Sequence, residues 1–236
     1  MWIVDLFNTI LYQPFLNLLV LIYALIPDVG IAIIILTIII KLILHPFSVK
    51  SLKSQKDMQE VQPKIEKIRK EHKDDFQTQA DEMKKIYKEH DISPFSNFLF
   101  LLIQIPIIIA ILQVFMRGFG PELLNANLYS FIPVPNLSNP SLLGLLDLTK
   151  PNLILAVLAG VLQFFQTKKT MSFGKEEGGS ENKVQEKVGK FTLYFFPVLT
   201  VFILSQLNAV VGLYWLTSII FTIGEYYLLK KQTKND

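Results

Sequence analysis

The chain has 236 residues, of which 51% are hydrophobic and 18% are charged, and its formal net charge is +3. A soluble domain of this length rarely combines such hydrophobic and charged fractions. The absence of cysteine excludes disulfides, thiolate chemistry and cysteine-lined metal sites. The three histidines, His45, His72 and His90, lie far apart in sequence. We therefore expect no metal site and no cofactor.

The apolar residues are concentrated in uncharged runs, such as 30–40, 98–116 and 191–207. An α-helix needs about 20 largely apolar residues to cross the hydrocarbon core, and these runs approach that length. They do not alternate apolar and polar residues as the strands of a membrane β-barrel do. The sequence therefore predicts an all-α integral membrane protein, with five transmembrane helices.

Residues 1–28 are predicted to form an amphipathic helix on the membrane surface, ended by Pro27 and Gly30. No Lys or Arg precedes its apolar part, so it lacks the basic segment of a secretory signal. A first spanning helix is the alternative. The first predicted span is 29–47, closed by His45 and Pro46.

Residues 48–93 are rich in lysine, and acidic residues nearly balance the charge, which indicates solvated helices rather than a nucleic-acid-binding arm. Two apolar stripes at helical spacing predict an antiparallel cytoplasmic helical hairpin, with its turn at 73–75. Pro63 should kink the first helix or begin a new one. The stripes are Met58, Val61, Ile65 and Ile68, and Phe76, Ala80, Met83 and Tyr87.

Four further spans are predicted after the hairpin. They are 94–117, 151–167, 191–207 and 208–229, separated by an outer loop at 118–150 and a cytoplasmic loop at 168–190, with a tail at 230–236. The run Gly178-Gly179-Ser180 predicts flexibility in the cytoplasmic loop. Only Asn208 and Ala209 separate the apolar run that ends at Leu207 from the one that begins at Val210, which predicts that the last two spans form a tight antiparallel pair.

The lysines predict the orientation. The segments 48–93, 168–190 and 230–236 contain every basic residue except Lys41, Arg117 and Lys150. Five spans place all three segments on one side, which the positive-inside rule makes the cytoplasm. The N-terminus and the outer loop then face outward, and residues 1–28 do not span. Since no cleavable presequence is recognised, we expect a bacterial cytoplasmic membrane.

Lys41 lies inside the first span, where a lysine costs about 2.5 to 3.5 kcal/mol on insertion scales. It either snorkels to the cytoplasmic headgroups or faces a water-filled cavity in the inner leaflet. Thr37, one turn earlier, extends the polar stripe.

Polar residues also lie inside the other spans. They either form hydrogen bonds between packed helices or line a hydrophilic pocket around Lys41. They are Gln104, Gln163, Gln166, Ser205, Gln206, Tyr214, Trp215, Thr217, Ser218 and Glu225. No Walker loop, GxSxG, HExxH or pair of intramembrane carboxylates is present, so we expect no enzyme.

Four segments, in this order and spacing, resemble the YidC-type membrane protein insertases, whose relatives work in mitochondria and thylakoids. The resemblance covers roughly residues 5–229. The segments are Ile33-Ile34-Ile35-Leu36-Thr37 leading to Lys41 and His45-Pro46, Val61-Gln62-Pro63-Lys64-Ile65, Leu101-Leu102-Ile103-Gln104-Ile105-Pro106-Ile107, and Gly212-Leu213-Tyr214-Trp215-Leu216-Thr217-Ser218.

The resemblance implies five spans around a hydrophilic groove, open to the cytoplasm and to lipid. Lys41 stands where the family has an arginine. The lysine keeps the positive charge but lacks the planar guanidinium that binds a carboxylate through two hydrogen bonds. The entries to the second and last spans, Ser93-Pro94-Phe95-Ser96-Asn97 and Asn208-Ala209-Val210, also depart from the family's usual turns.

The implied function is to receive polar segments of nascent membrane proteins in this groove and to release their apolar helices into the bilayer. The expected groove residues are Lys41, Thr37, Gln104, Gln163, Tyr214, Trp215 and Ser218. The expected partners are substrates and lipid, with the ribosome, a targeting receptor and the Sec translocon as further candidates and no direct nucleic-acid recognition. A small anion transporter or channel is the main alternative, and a membrane sensor or scaffold is another.

Overall fold

The computed structural model describes residues 2–92, 96–116, 121–135, 140–171 and 183–232. These residues form helices and one two-stranded antiparallel hairpin. The helices are α1 (Trp2–Phe7), a π-helical turn (Asn8–Tyr12), α2 (Gln13–Leu25), α3 (Val29–Glu71), α4 (Phe76–Glu89), α5 (Ser96–Met116), α6 (Pro121–Asn127), α7 (Leu153–Met171), α8 (Lys183–Leu204) and α9 (Ala209–Gln232). The strands are β1 (Ser141–Leu142) and β2 (Leu146–Asp147).

Within these described ranges, three helices are long and apolar enough to cross a membrane: Trp2–Leu25, Val29–Glu71 and Ala209–Lys231. Shorter apolar helical segments occupy Leu102–Phe115 and Gly189–Leu204. Many large apolar side chains, such as Ile154 and Val198, point out of the bundle. Such a surface suits lipid better than water. The prediction of an α-helical membrane protein is confirmed, whereas the number of five spans stays a prediction.

Helices α3 and α9 run parallel. Lys41 of α3 contacts Thr222 of α9, and Ser48 contacts Glu225, so the numbers rise together along both helices. Helix α7 is parallel to α9 as well, because Trp215 contacts Gln163 and Tyr227 lies under Lys169. The amino-terminal ends of α3, α7 and α9 therefore lie at one end of the bundle.

Helix α8 runs antiparallel to α7 and packs mainly against it. The short connection at 205–208 does join α8 to α9, but their mutual contact is small. The predicted tight pair of the last two spans is therefore wrong. Gly160 of α7 explains the preference, since the missing side chain lets Pro197 and Val201 of α8 approach closely.

The loop around the β-hairpin covers the amino-terminal ends of α3 and α9. The Asp28 carboxylate caps α3 by accepting from the Ile31 amide at 2.8 Å, and it also accepts from the Leu143 amide at 2.6 Å. The Ala209 amide donates to the carbonyl of Lys150 at 2.8 Å. Part of the predicted outer loop is thus fastened to the helices that contain most of the predicted site residues.

Helix α3 continues for 43 residues through Pro46 and Pro63, beyond the end of the predicted first span. Of the two outcomes predicted at Pro63, a kink or the start of a new helix, the start of a new helix is wrong. An interior proline costs about 3 kcal/mol, so contacts on both sides must hold the helix straight enough to continue. His45 and Ser48 flank Pro46 and both contact α9. Val61 and Ile65, each two residues from Pro63, are buried in the hairpin interface.

The predicted helical hairpin is present, with α4 packed on the end of α3 and the turn at 72–75. Asp75 caps α4, and hydrogen bonds from the Thr78 hydroxyl and amide hold the pKa of its carboxyl below the usual range. The predicted stripe is partly wrong, since Phe76 and Ala80 are exposed. Ile86 and Ile92 pack against α3 instead, together with Met83 and Tyr87. Helix α4 therefore contacts α3 mainly near the carboxyl-terminal end of α4.

Residues 2–25 pack into the bundle through their middle. Asn17 is 2% exposed, and its amide nitrogen donates to the carbonyl of Asn127 at 3.0 Å. Its amide oxygen accepts from the backbone N–H of Tyr129 at 2.6 Å. The midpoint of this helix therefore lies beside the segment that follows α6.

Several predictions fall on residues outside the described ranges. The turn at 93–95, Arg117 and Gly118, residues 172–182 of the loop at 168–190 with its Gly178-Gly179-Ser180 run, and the last four residues are among them. On either side of residues 172–182, the helices are longer than the predicted spans 151–167 and 191–207. Helix α7 continues to Met171, and α8 already begins at Lys183.

The close approach of α7 and α8 can be tested at Gly160. An alanine there places a Cβ against Val201 and 3.1 Å from the carbonyl oxygen of Pro197, so overpacking should cost about 1 to 3 kcal/mol. We expect Gly160→Ala to lower the melting temperature of the detergent-solubilised protein by several degrees.

Gly224→Ala is the matched control, because a Cβ at Gly224 meets no atom within 4 Å and alanine favours the helix. Its melting temperature should stay equal or rise. Equal loss of stability in both variants would contradict the close packing of α7 and α8.

Candidate functional site

Helix α9 carries a row of polar side chains along the face that it turns to its neighbours. Tyr214, Ser218, Thr222 and Glu225 follow one another at intervals of three or four residues, which keeps them on one side of a helix. Trp215 lies beside this row. We call these five residues, with the side chains that contact them, the polar seam.

Lys41 lies between α3 and α9 and is 4% exposed. Its Nζ donates to the Thr222 hydroxyl at 3.3 Å, and that hydroxyl donates to the carbonyl of Ser218 at 3.0 Å. The ammonium thus contacts a partner helix inside the bundle instead of reaching along α3 to its end. At about 1.5 Å per residue, Lys41 lies roughly 18 Å along the helix from Val29.

Thr37 lies one turn before Lys41 and is 1% exposed. Its hydroxyl donates to the backbone carbonyl of Ile33 in the same helix at 2.6 Å, so the hydroxyl hydrogen is already used within α3. Such back-bonding is common for threonine inside helices. Thr37 therefore borders the polar seam without a hydrogen bond to α9 among the contacts of the described residues.

Gln104 joins α5 to the seam. Its side-chain amide donates to the hydroxyl of Tyr214, which is 1% exposed. Burying a phenol hydroxyl or an amide without a hydrogen-bond partner costs free energy. This hydrogen bond gives each of the two groups a partner.

Gln163 joins three helices through one oxygen. Its Oε1 accepts from the Thr200 hydroxyl of α8 at 2.8 Å and from the Trp215 indole nitrogen of α9 at 3.1 Å. Both donors need an acceptor between the helices, and one amide oxygen on α7 accepts from both.

Glu225, which the sequence analysis counts among the polar residues of the spans but not among the seven expected groove residues, lies at the end of the polar seam nearer the hairpin. It is 3% exposed, and its two carboxylate oxygens contact His45 Nδ1 and the Ser48 hydroxyl, each at 2.6 Å. Lys41, His45 and Ser48 are spaced four and three residues apart on α3. That spacing, matched by Thr222 and Glu225 on α9, is the signal that could have revealed the pairing.

The structure brings six of the seven predicted residues onto the polar seam, but in two groups. Gln104 and Tyr214, with Gln163 and Trp215, form neutral pairs near the amino-terminal end of α9. Lys41 and Ser218 belong to the charged group near Glu225. No group of three metal-ligating side chains is found in the residues that the structure describes.

The three-helix contact at Gln163 can be tested by removing its oxygen. We expect Gln163→Leu to leave the Trp215 and Thr200 donors unsatisfied, and to lower the melting temperature by a few degrees for a loss of about 1 to 3 kcal/mol. Gln166→Leu on the same helix should be milder. Equal effects, with no change in Trp215 fluorescence, would contradict the role of Gln163.

A family model described as "60Kd inner membrane protein" matches residues 21–236. A membrane protein insertase YidC from Clostridium tetani is 35% identical over 202 residues, covering 86% of this chain and 81% of that protein. The YidC insertase of Fusobacterium nucleatum is 33% identical over 203 residues, covering 86% of each.

The YidC insertase of Pelobacter propionicus is 32% identical over 228 residues, which are 94% of this chain but 39% of that longer protein. The matches thus cover nearly the whole chain, and they agree with its helical, membrane-compatible fold. The chain belongs to the 60Kd inner membrane protein family, the family of the YidC membrane protein insertases, which are not enzymes.

Proposed function

We propose that this protein inserts membrane proteins by receiving the polar outer segment of a substrate in a hydrophilic groove bordered by the polar seam. The observation that carries the proposal is Lys41, a cation held between α3 and α9 inside the bundle. The membership of the chain in an insertase family supports it. Thr37, Gln104, Gln163, Tyr214, Trp215 and Ser218 are the remaining groove residues in this proposal.

The work of such a groove is to lower the free energy of polar groups in transit. An unsatisfied amide or hydroxyl costs several kcal/mol in hydrocarbon, and a charge costs more. Hydroxyl, amide and ammonium groups along α9 offer partial replacement for water. Burial of the substrate's apolar helix in lipid then supplies the driving force, so no nucleotide is required.

The release path in this proposal lies along α7 and α9. Val157, Val161 and Phe165 of α7 and Ile220 of α9 are exposed on the bundle surface. A substrate helix that slides against these side chains exchanges one apolar contact for another on its way into lipid. The charged groups of the polar seam stay behind it.

The proposed arrangement has five spans, with the outer loop and the N-terminus outside and the C-terminus in the cytoplasm of a bacterial cell. The parallel course of α3, α7 and α9 supports it, since their basic carboxyl-terminal turns then share one end. Residues 1–28 lie on the outer surface in this arrangement. The contact of Asn17, at the middle of that helix, with Asn127 and Tyr129 supports a surface position.

The helical hairpin is proposed to move when a substrate enters. Gln59 of α3 donates to the carbonyl of Thr170 on α7 at 3.1 Å, so the base of the hairpin is tied to the end of α7. Opening the groove from the cytoplasm would break this bond. The basic segments nearby are the proposed contacts for a ribosome, a targeting receptor or the Sec translocon.

The orientation can be tested with single cysteines, because the chain has none of its own. We expect a membrane-impermeant maleimide to label Trp2→Cys and Leu145→Cys from outside intact cells. Lys88→Cys and Lys231→Cys should react only in inverted vesicles. Outside labelling at Lys88 would overturn the orientation, and inside labelling at Trp2 would mean that residues 2–25 span.

The role of Lys41 can be tested by insertion into liposomes of a single-span substrate with an acidic outer segment. We expect Lys41→Arg to insert at close to the wild-type level, since the charge is kept. Lys41→Ala should lower the yield by about tenfold, as one unit charge is removed from a site of low dielectric constant. The measurement is the fraction of substrate protected from protease.

Lys53→Ala is the matched control, because Lys53 is an exposed lysine on the same helix. It should insert like the wild type. Equal insertion by the wild type, Lys41→Arg and Lys41→Ala would remove Lys41 from the mechanism. No insertion above empty liposomes would contradict the proposed function and favour the anion transporter or channel.

A further inference from the structure

The charged part of the polar seam contains an acidic residue as well as a basic one. Glu225 is 3% exposed, at a depth of roughly 24 Å along α9 from Ala209. A buried carboxylate is costly unless it is paired and hydrogen-bonded. His45 and Ser48 each contact one of its oxygens at 2.6 Å, so the carboxylate is held in place from α3.

Glu225 also acts on Lys41. Thr222, the hydrogen-bond acceptor of the ammonium, lies one turn before Glu225 on the same face of α9. The carboxylate and the ammonium attract each other across this turn. In the poorly hydrated interior such an attraction is screened far less than at a surface. The two charges therefore belong to one site.

The charge of this site follows from its members. Lys41 contributes one positive charge and Glu225 one negative charge, and His45 adds one positive charge only when it is protonated. In either state of His45, Glu225 lowers the net charge of the site by one. A substrate segment entering the site meets a smaller positive potential than Lys41 alone would create.

We propose that Glu225 determines which outer segments the insertase accepts. The inference rests on the proposed function of the polar seam. By offsetting Lys41, Glu225 makes the site tolerant of uncharged polar and weakly basic segments as well as acidic ones. Lys41 supplies polarity and attraction, while Glu225 sets how strongly the site discriminates by charge.

The test compares three single-span substrates that differ only in the outer segment, which carries two Asp, two Asn or two Lys residues. Insertion into liposomes is measured for the wild type and for Glu225→Gln, and the readout is the ratio of acidic to basic substrate inserted. We expect Glu225→Gln to raise this ratio by about tenfold. The glutamine side chain keeps one acceptor for Ser48 and places a donor near His45.

Two further variants keep the test decisive if Glu225→Gln is unstable. Glu225→Asp retains the charge and should keep a ratio near that of the wild type. Lys41→Gln combined with Glu225→Gln removes both charges, so the ratio should return toward the wild-type value even though the total yield falls. A melting temperature for each variant separates loss of folding from loss of discrimination.

The outcomes distinguish this inference from the proposed function. If Lys41→Ala lowers insertion but Glu225→Gln leaves the acidic-to-basic ratio unchanged, Glu225 is a packing residue and the inference is wrong. A uniform loss for all three substrates in folded Glu225→Gln would also overturn it. If none of the Lys41 or Glu225 variants affects any substrate, both this inference and the proposed role of Lys41 fail, whereas no insertion above empty liposomes by the wild type contradicts the proposed function itself.

Discussion

The structure depends on one constraint: polar groups at membrane depth must find partners on other helices, because lipid offers none. Helix α9 meets most of this requirement. Its side chains contact Gln104 of α5, Gln163 of α7, and Lys41, His45 and Ser48 of α3. Each neighbour is thus held against α9 by a polar contact as well as by apolar packing. The helix that carries the site also organises the bundle.

The same contacts connect the bundle to the helical hairpin formed by α4 and the end of α3. Helix α3 passes through Pro46 without ending, between two residues that hold Glu225. A break at Pro46 would have separated the hairpin mechanically from the spans. The continuous helix instead joins the residues that contact Glu225 directly to Val61 and Ile65 in the hairpin interface.

The sequence predicted the class of fold, the hairpin and most of the polar seam, because composition and helical spacing are local signals. It did not predict that α3 continues past Pro46, since proline's local preference was overridden by contacts with α9. The mutual contact of His45 and Glu225 was missed for a similar reason. Each residue looked like the end of a span when considered alone, and only the parallel packing of α3 on α9 joins them.

The distribution of charge along α9 argues for an insertase more than for a channel. The polar seam is neutral toward the β-hairpin, where Gln104 and Gln163 form hydrogen bonds with Tyr214 and Trp215, and charged toward the helical hairpin. The end beside the β-hairpin is closely packed, with Leu142 against Gly30 and the Leu143 amide donating to Asp28. A conducting pore needs polar groups and an opening through its whole length. A site that is charged toward the hairpin and closely packed near Gly30 and Asp28 suits a segment that enters partway and leaves sideways.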